Sequence, residues 1–210
     1  MLGENVLTFS TNRYVKHLDT ATPPWLPQSE FVELDAAFKH WLETLPTSLV
    51  FSDAAIYMRK ESSQVGALCM LHITYNMALC DLYRIGMPKL FRIRSPMEFP
   101  PDQEDFVRRT QDQCFYHAQV VATIFAEAIR HEAKTLADTW FSTVAYDSSR
   151  IMLYYLTHVV GTRDPRCEAL WKETAPLLQA NLRAQRLMIP MYSLAQPLVC
   201  GQLAKCAEIR

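Results

Sequence analysis

The feature that most constrains this chain is an almost uncharged apolar run at residues 65–83, VGALCMLHITYNMALCDLY, in which Asp81 is the only formal charge. A run of this length is about what a membrane span needs. It is also what the centre of a helical domain requires, since a helix covered on all sides is apolar on nearly all sides. His72 and Asn76 interrupt the run, and no aromatic belt marks both of its ends. We therefore predict a buried central helix and no membrane span.

The rest of the chain shows helical periodicity and no convincing alternation of the kind a strand produces. Only five glycines occur, which argues against a strand-rich fold with many tight turns. We predict an all-α fold, a multi-helix bundle-like domain of about six helices around the central one. The predicted helices are Ser29 to Leu45, Ser62 to Ile85, Pro101 towards Ala133, Thr139 to Val160, Pro165 to Arg186 with a kink or split at Pro176, and Tyr192 to Ala207.

Composition divides the chain into two segments. Residues 1–28 carry three prolines and no sustained period, which predicts a linker, and residues 29–210 form the all-α domain. The net charge of -1 gives no general electrostatic attraction to nucleic acid or acidic lipid. The first ten residues lack the basic start and apolar core of a signal peptide.

The six cysteines form no C-x-x-C pair, so free and mostly buried thiols are expected. Cys69 and Cys80 would lie roughly 16 Å apart along one helix, too far to share a metal ion. The central helix could offer at most Cys69 and His72 to one ion. We therefore predict no metal site and no cofactor in this chain.

Other polar groups also favour structural roles. Glu127 and His131, four residues apart, predict an exposed ion pair, and the acids of PDQEDF at 101–106 suit a helix start. His117 and His158 predict hydrogen-bonded residues in the core or at its boundary. Ser142, Ser148 and Ser149 lack the elbow of a serine nucleophile. The basic cluster is interpreted as a solvated connector or a small anion or partner patch; its members are Arg84, Lys89, Arg92 and Arg94.

Four segments, in order, resemble the later half of the fungal-specific transcription factor domain, the middle homology region of zinc-cluster regulators. They are FVELDAAFKHWLETLP, LHITYNMALCDLYRIGMP, CFYHAQVVATIFAEAI and WFSTVAYDSSRIMLYYL. The first shows the Trp-Leu-x-x-Leu-Pro helix end at Trp41 to Pro46. The second begins with Leu71-His72 and ends at Arg84. The resemblance covers roughly residues 30–205.

The resemblance implies a nuclear, non-enzymatic regulatory module for RNA polymerase II transcription. The family's six-cysteine zinc cluster, which binds DNA, has no counterpart here, and zinc would belong to that cluster. We therefore expect no direct DNA contact. The domain's earlier helices have no counterpart either, so we expect a fragment, a truncated gene model or a stand-alone derivative. Uncovered apolar surface and self-association would follow.

The expected partners are the remainder of a transcription factor or an oligomer partner, and a small-molecule effector is left open. No catalytic residue is predicted. His72, Asn76 and Arg84 are the residues expected to contact an effector or partner. His72 and Asn76 lie one helical turn apart, and both need buried hydrogen-bond partners. The alternative interpretation is an all-α enzyme or small-molecule-binding protein with a cavity between the helices.

Overall fold

A computed structural model describes residues 22–60, 64–90, 98–131, 139–161 and 164–188. These ranges contain six α-helices and no strand, which confirms the predicted all-α fold. The helices are α1 (Glu30–Glu43), α2 (Asp53–Arg59), α3 (Val65–Tyr83), α4 (Glu104–Arg130), α5 (Thr139–Tyr154) and α6 (Pro165–Met188). The predicted helix from Tyr192 to Ala207, most of the predicted linker and the start of the second predicted helix at Ser62 lie outside the described residues.

Helix α1 begins where its sequence predicts. The Ser29 hydroxyl accepts a hydrogen bond from the Val32 backbone N–H at 3.3 Å and donates to the Pro24 carbonyl at 3.0 Å. A serine cap of this kind is worth about 1 kcal/mol. Phe31, Leu34 and Phe38 recur at helical spacing and form the buried face. The short helix α2 follows, capped in the same way by Ser52.

Helix α3 is the predicted central apolar helix. By length and composition Val65–Gly86 could cross a membrane, but two-thirds of its most apolar window is buried inside the protein. The helix packs against other helices, as the core helix of a helical domain does. It ends in a 3₁₀ turn, Arg84–Gly86, so the predicted stop at Gly86 is confirmed.

Two later helices differ from their predictions. The single helix expected from Thr139 to Val160 is α-helical only to Tyr154 and continues as a π-helix, Tyr155–Gly161. Helix α6 runs through Pro176, so of the predicted kink or split the split is wrong. Because Pro176 is exposed, the carbonyl that loses its helical N–H partner there can bond to water.

The chain divides into two compact units. Unit 1 is Met1–Ser48 with Ala78–Cys114, and unit 2 is Leu49–Met77 with Phe115–Arg210. The chain passes between the units at three positions: one lies in the 3₁₀ turn Thr47–Leu49, one within α3 and one within α4.

Aromatic rings fill the core of unit 1. The Phe106 ring lies 5.3 Å from the Phe31 ring and 6.2 Å from the Trp25 ring, and Phe31 also meets Tyr83 at 5.9 Å. The Tyr83 hydroxyl donates to Asp35, which also pairs with Lys39 at 2.7 Å. This arrangement fastens α1 to the end of α3.

Small residues bring the unit 1 parts of α3 and α4 close together. The Cys80 and Cys114 thiols each donate to the other residue's carbonyl oxygen at 3.6 Å. The Gln111 side-chain N–H donates to the Gly86 carbonyl at 2.8 Å. A Cβ added at Gly86 would lie 2.3 Å from the Thr110 hydroxyl oxygen, so any larger residue would force its neighbours at this crossing to shift.

Candidate functional site

His72 and Asn76 lie in unit 2 on α3, each about 5 % exposed. The His72 Nε2 lies 2.8 Å from the Leu49 carbonyl oxygen. Since a carbonyl oxygen only accepts, Nε2 carries the proton in this contact. The Asn76 amide N–H donates to the His72 backbone carbonyl at 2.8 Å. The buried partners that the sequence required for both residues are therefore present.

His117, on the unit 2 part of α4, completes this group. Its Nδ1 lies 2.8 Å from the Asn76 Oδ1, so Nδ1 donates and the imidazole is held in one tautomer. His117 is 9 % exposed, as expected for a hydrogen-bonded core histidine. We call His72, Asn76 and His117 the His–Asn–His group.

The hydrogen bonds of the His–Asn–His group favour a structural role in helix packing. The Asn76 side chain uses its oxygen on His117 and its nitrogen on the preceding helical turn. A buried amide that is paired at both ends fixes the register of two helices. It offers little to an effector, because a ligand would have to displace an internal partner.

Arg84, the third residue predicted to contact an effector, lies in unit 1. Its guanidinium pairs with the Asp81 carboxylate at 2.9 Å, and both side chains are about one-fifth exposed. The structure thus joins His72 to Asn76 directly and assigns Arg84 to the other unit. Of the other members of the basic cluster, Lys89 is exposed, whereas Arg92 and Arg94 lie outside the described residues.

Two predictions about polar side chains are wrong in their detail. Glu127 and His131 do pair at 3.9 Å, but both side chains are about four-fifths buried, and Arg130 is the nearer partner at 3.1 Å. His158 is exposed, stacked on the Tyr154 ring at 4.6 Å, because the π-helix carries it to the surface.

Cys69, which the sequence offered as a possible metal ligand, is an inert thiol. Burial, and to a lesser degree the charge of Glu127, raises the pKa of Cys69 from 9.0 to about 11. The thiolate is the form that attacks electrophiles and binds metals, so Cys69 is inactive near neutral pH. Within the described ranges, no three His, Cys, Asp or Glu side chains come together as a metal-ion site.

A second buried polar cluster was not predicted. It lies in unit 2 between α5 and α6, and we call it the polar seam. Its members, each at most 2 % exposed, are Ser142, Ser148 and Ser149 on α5 and Thr174, Asn181 and Gln185 on α6. Their spacing is the available signal, since residues seven apart lie on one face of a helix, as do 142 and 149 or 174 and 181.

Two serines of the polar seam use their hydroxyl groups in internal hydrogen bonds. The Ser148 hydroxyl donates to the Ala118 carbonyl at 2.8 Å, and the Ser149 hydroxyl donates to the Ala145 carbonyl at 2.9 Å. Both hydroxyl oxygens accept the Asn181 side-chain N–H at 3.0 Å. Since their protons go to backbone carbonyls, these hydroxyls are not poised as nucleophiles.

The polar seam also contains buried polar atoms without a hydrogen-bond partner in the structure. They are the Ser142 and Thr174 hydroxyl oxygens, the Asn181 Oδ1 and the Gln185 Oε1. Gln185 does donate to the Ser142 carbonyl at 3.2 Å through its nitrogen, so only its oxygen is unsatisfied. Each such atom costs free energy, because it leaves water without compensation.

No protein-family model, curated protein or solved structure matches this chain.

Proposed function

We propose that this chain is a regulatory, non-enzymatic module of a fungal transcription factor that controls RNA polymerase II transcription. The observation that carries the proposal is the order of the four segments that resemble the fungal-specific transcription factor domain. These segments fall on α1, α3, α4 and α5.

Buried polar groups form hydrogen bonds between helices, which supports a role for this chain in helix contacts. The His–Asn–His group pairs α3 with α4, and the polar seam pairs α5 with α6. In both places the polar atoms meet backbone or amide groups of a neighbouring helix. A module built in this way would act by rearranging helix contacts, within a longer transcription factor or with an oligomer partner.

The proposed module works in the nucleus without touching DNA itself. The balanced charge, Lys+Arg 21 against Asp+Glu 22, gives no electrostatic footprint for a phosphate backbone. DNA contact would be the task of a zinc cluster elsewhere in the factor. A small-molecule effector remains compatible with this proposal.

A reporter assay in yeast tests the proposal. The chain is fused to a heterologous zinc-cluster DNA-binding domain with a fixed activation domain, and reporter output is compared with the same fusion lacking the chain. A regulatory module changes the output at equal protein level. In a parallel gel-shift measurement, the free chain should leave duplex DNA unbound. Unchanged reporter output would contradict the proposal.

A further inference from the structure

Helix α6 buries an unusually polar face for its length. Its 24 residues include two fully buried apolar side chains, Leu178 and Ala184, within the part of the helix whose side chains are described. Three polar side chains, Thr174, Asn181 and Gln185, are each 0 % exposed. Other apolar residues of this helix are partly buried; they include Leu170, Trp171, Leu177 and Leu182. Because apolar burial supplies most of the adhesion between helices, three polar side chains at fully buried positions weaken the attachment of α6.

Helix α5 also makes contacts that do not involve α6. It buries six apolar side chains: Phe141, Val144, Ala145, Ile151, Met152 and Leu153. The Phe141 ring meets the Phe125 ring of α4 edge-on at 6.1 Å. Ser148 donates to the Ala118 carbonyl, also on α4. The contacts of Phe141 and Ser148 with α4 do not depend on α6.

The two buried amides of α6, Asn181 and Gln185, are each paired at one end only where α6 packs on α5. The Gln185 nitrogen faces the Ser142 carbonyl oxygen. The Gln185 oxygen has no partner, and rotating this amide by half a turn would place two oxygens against each other. The Asn181 nitrogen donates to the Ser148 and Ser149 hydroxyls, and the Asn181 oxygen has no partner. If α6 separated from α5, these groups would form hydrogen bonds with water.

We propose that α6 is a detachable helix, which opens from α5 as a unit while α5 stays packed on α4. The unsatisfied atoms of the polar seam keep the free energy of this opening below that of global unfolding, as in other locally unfolding elements. At the far end of the preceding π-helix, Gly161 has a φ of +85° with nothing within 4 Å of an added Cβ, so the chain can turn there. When α6 opens, its contact with α5 would be replaced by a contact with a partner protein.

This proposal goes beyond the proposed function and does not depend on it. Hydrogen–deuterium exchange of the full chain, followed by mass spectrometry, tests it directly. Peptides from the middle of α6, residues 172–186, should exchange at least about tenfold faster than peptides from the centres of α3 and α4. Equal exchange rates in all three helices would overturn the proposal, because α6 would then open only when the whole protein unfolds.

Two variants test whether the unsatisfied amide atoms promote the opening of α6. Gln185→Met removes the unsatisfied oxygen at nearly constant volume, and Asn181→Leu removes the other unsatisfied amide. Each should slow exchange in α6 by about threefold to tenfold, since an unsatisfied buried acceptor is costly. Gln179→Met is the matched control, because Gln179 is exposed on the same helix and should leave the rate unchanged.

The variants also have outcomes that contradict the proposal. If Gln185→Met and Asn181→Leu both leave α6 exchange at the native rate, the polar seam is already satisfied by solvent and does not set the opening. If they slow α3, α4 and α6 by one common factor, α6 is not a separate opening unit. Either result would overturn the proposal.

Discussion

Asn76 is a buried amide on α3 that is paired at both ends. Its amide accepts from His117 and donates to the backbone of the turn before it, with only about 5 % of the residue exposed. A buried group with two partners is costly to remove, because the partners lose their hydrogen bonds as well.

The first prediction concerns this amide. Asn76→Leu leaves the His117 Nδ1 without the Asn76 oxygen, and should lower the free energy of unfolding by about 2–3 kcal/mol. Urea denaturation followed by circular dichroism measures the change. Thr74→Leu introduces the same side chain at an exposed position of α3 and should change stability by less than about 0.5 kcal/mol. Equal effects of the two variants would show that the His–Asn–His group does not stabilise the fold.

A second prediction at this scale concerns pH. The pKa of Cys69 is raised to about 11 in the folded protein, against 9.0 for an ordinary thiol. Between these pH values the folded state holds a proton that the unfolded state has lost, so stability falls as pH rises. The loss across this window is on the order of 2 kcal/mol. Cys69→Ala should therefore show a shallower decline in urea midpoint from pH 9 to pH 11 than the native chain, and parallel declines would contradict the assignment.

At the scale of elements, the apolar pattern and the capping residues were the main basis for predicting the helices and their ends. The cap at Ser29 and the stop at Gly86 are local signals, which act within a few residues and can be recognised in one sequence. The uniform apolarity of 65–83 predicted a central helix, because no other position in a helical domain tolerates it.

The polar seam and the π-helix were not predictable in the same way. Asn181 and Gln185 occur in a helix with many charged residues, where polar side chains usually face water. Only the pairing of α5 with α6 shows that they are buried, and that pairing is a tertiary contact. The sequence also gave no reason for the helix to widen after Tyr154, and we find no physical cause for it in the contacts of the π-helix.

A prediction at the element scale tests the close helix crossing in unit 1. Gly86→Ala should destabilise the protein by about 1–3 kcal/mol, because the new Cβ would overlap the Thr110 hydroxyl. Adding Thr110→Ala removes that oxygen and should restore part of the loss, although the Val107 carbonyl remains tight at 3.1 Å from the new Cβ. Thermal unfolding of the two single variants and the double variant measures the coupling. Strictly additive losses would place Gly86 away from Thr110.

At the scale of the whole molecule, exposed apolar side chains bear on self-association. Tyr57 is 79 % exposed and Met58 is 78 % exposed, both on α2. Burying such surface against another chain is favourable, as the sequence-based prediction of association requires. Light scattering should show a mass that rises with concentration, together with binding of a hydrophobic dye. Tyr57→Lys with Met58→Lys should reduce both, whereas a monomer at all concentrations without dye binding would contradict the expectation.

The proposed regulation through folded helix contacts is tested most directly by a matched pair of reporter variants. Ile73 is 0 % exposed on α3, and its neighbour Thr74 is exposed on the same helix. In the DNA-binding fusion, Ile73→Asp should abolish the chain's effect on reporter output, because it buries an unpaired charge. Thr74→Asp should keep the effect, at equal protein level. A reporter effect that survives Ile73→Asp unchanged would contradict the claim.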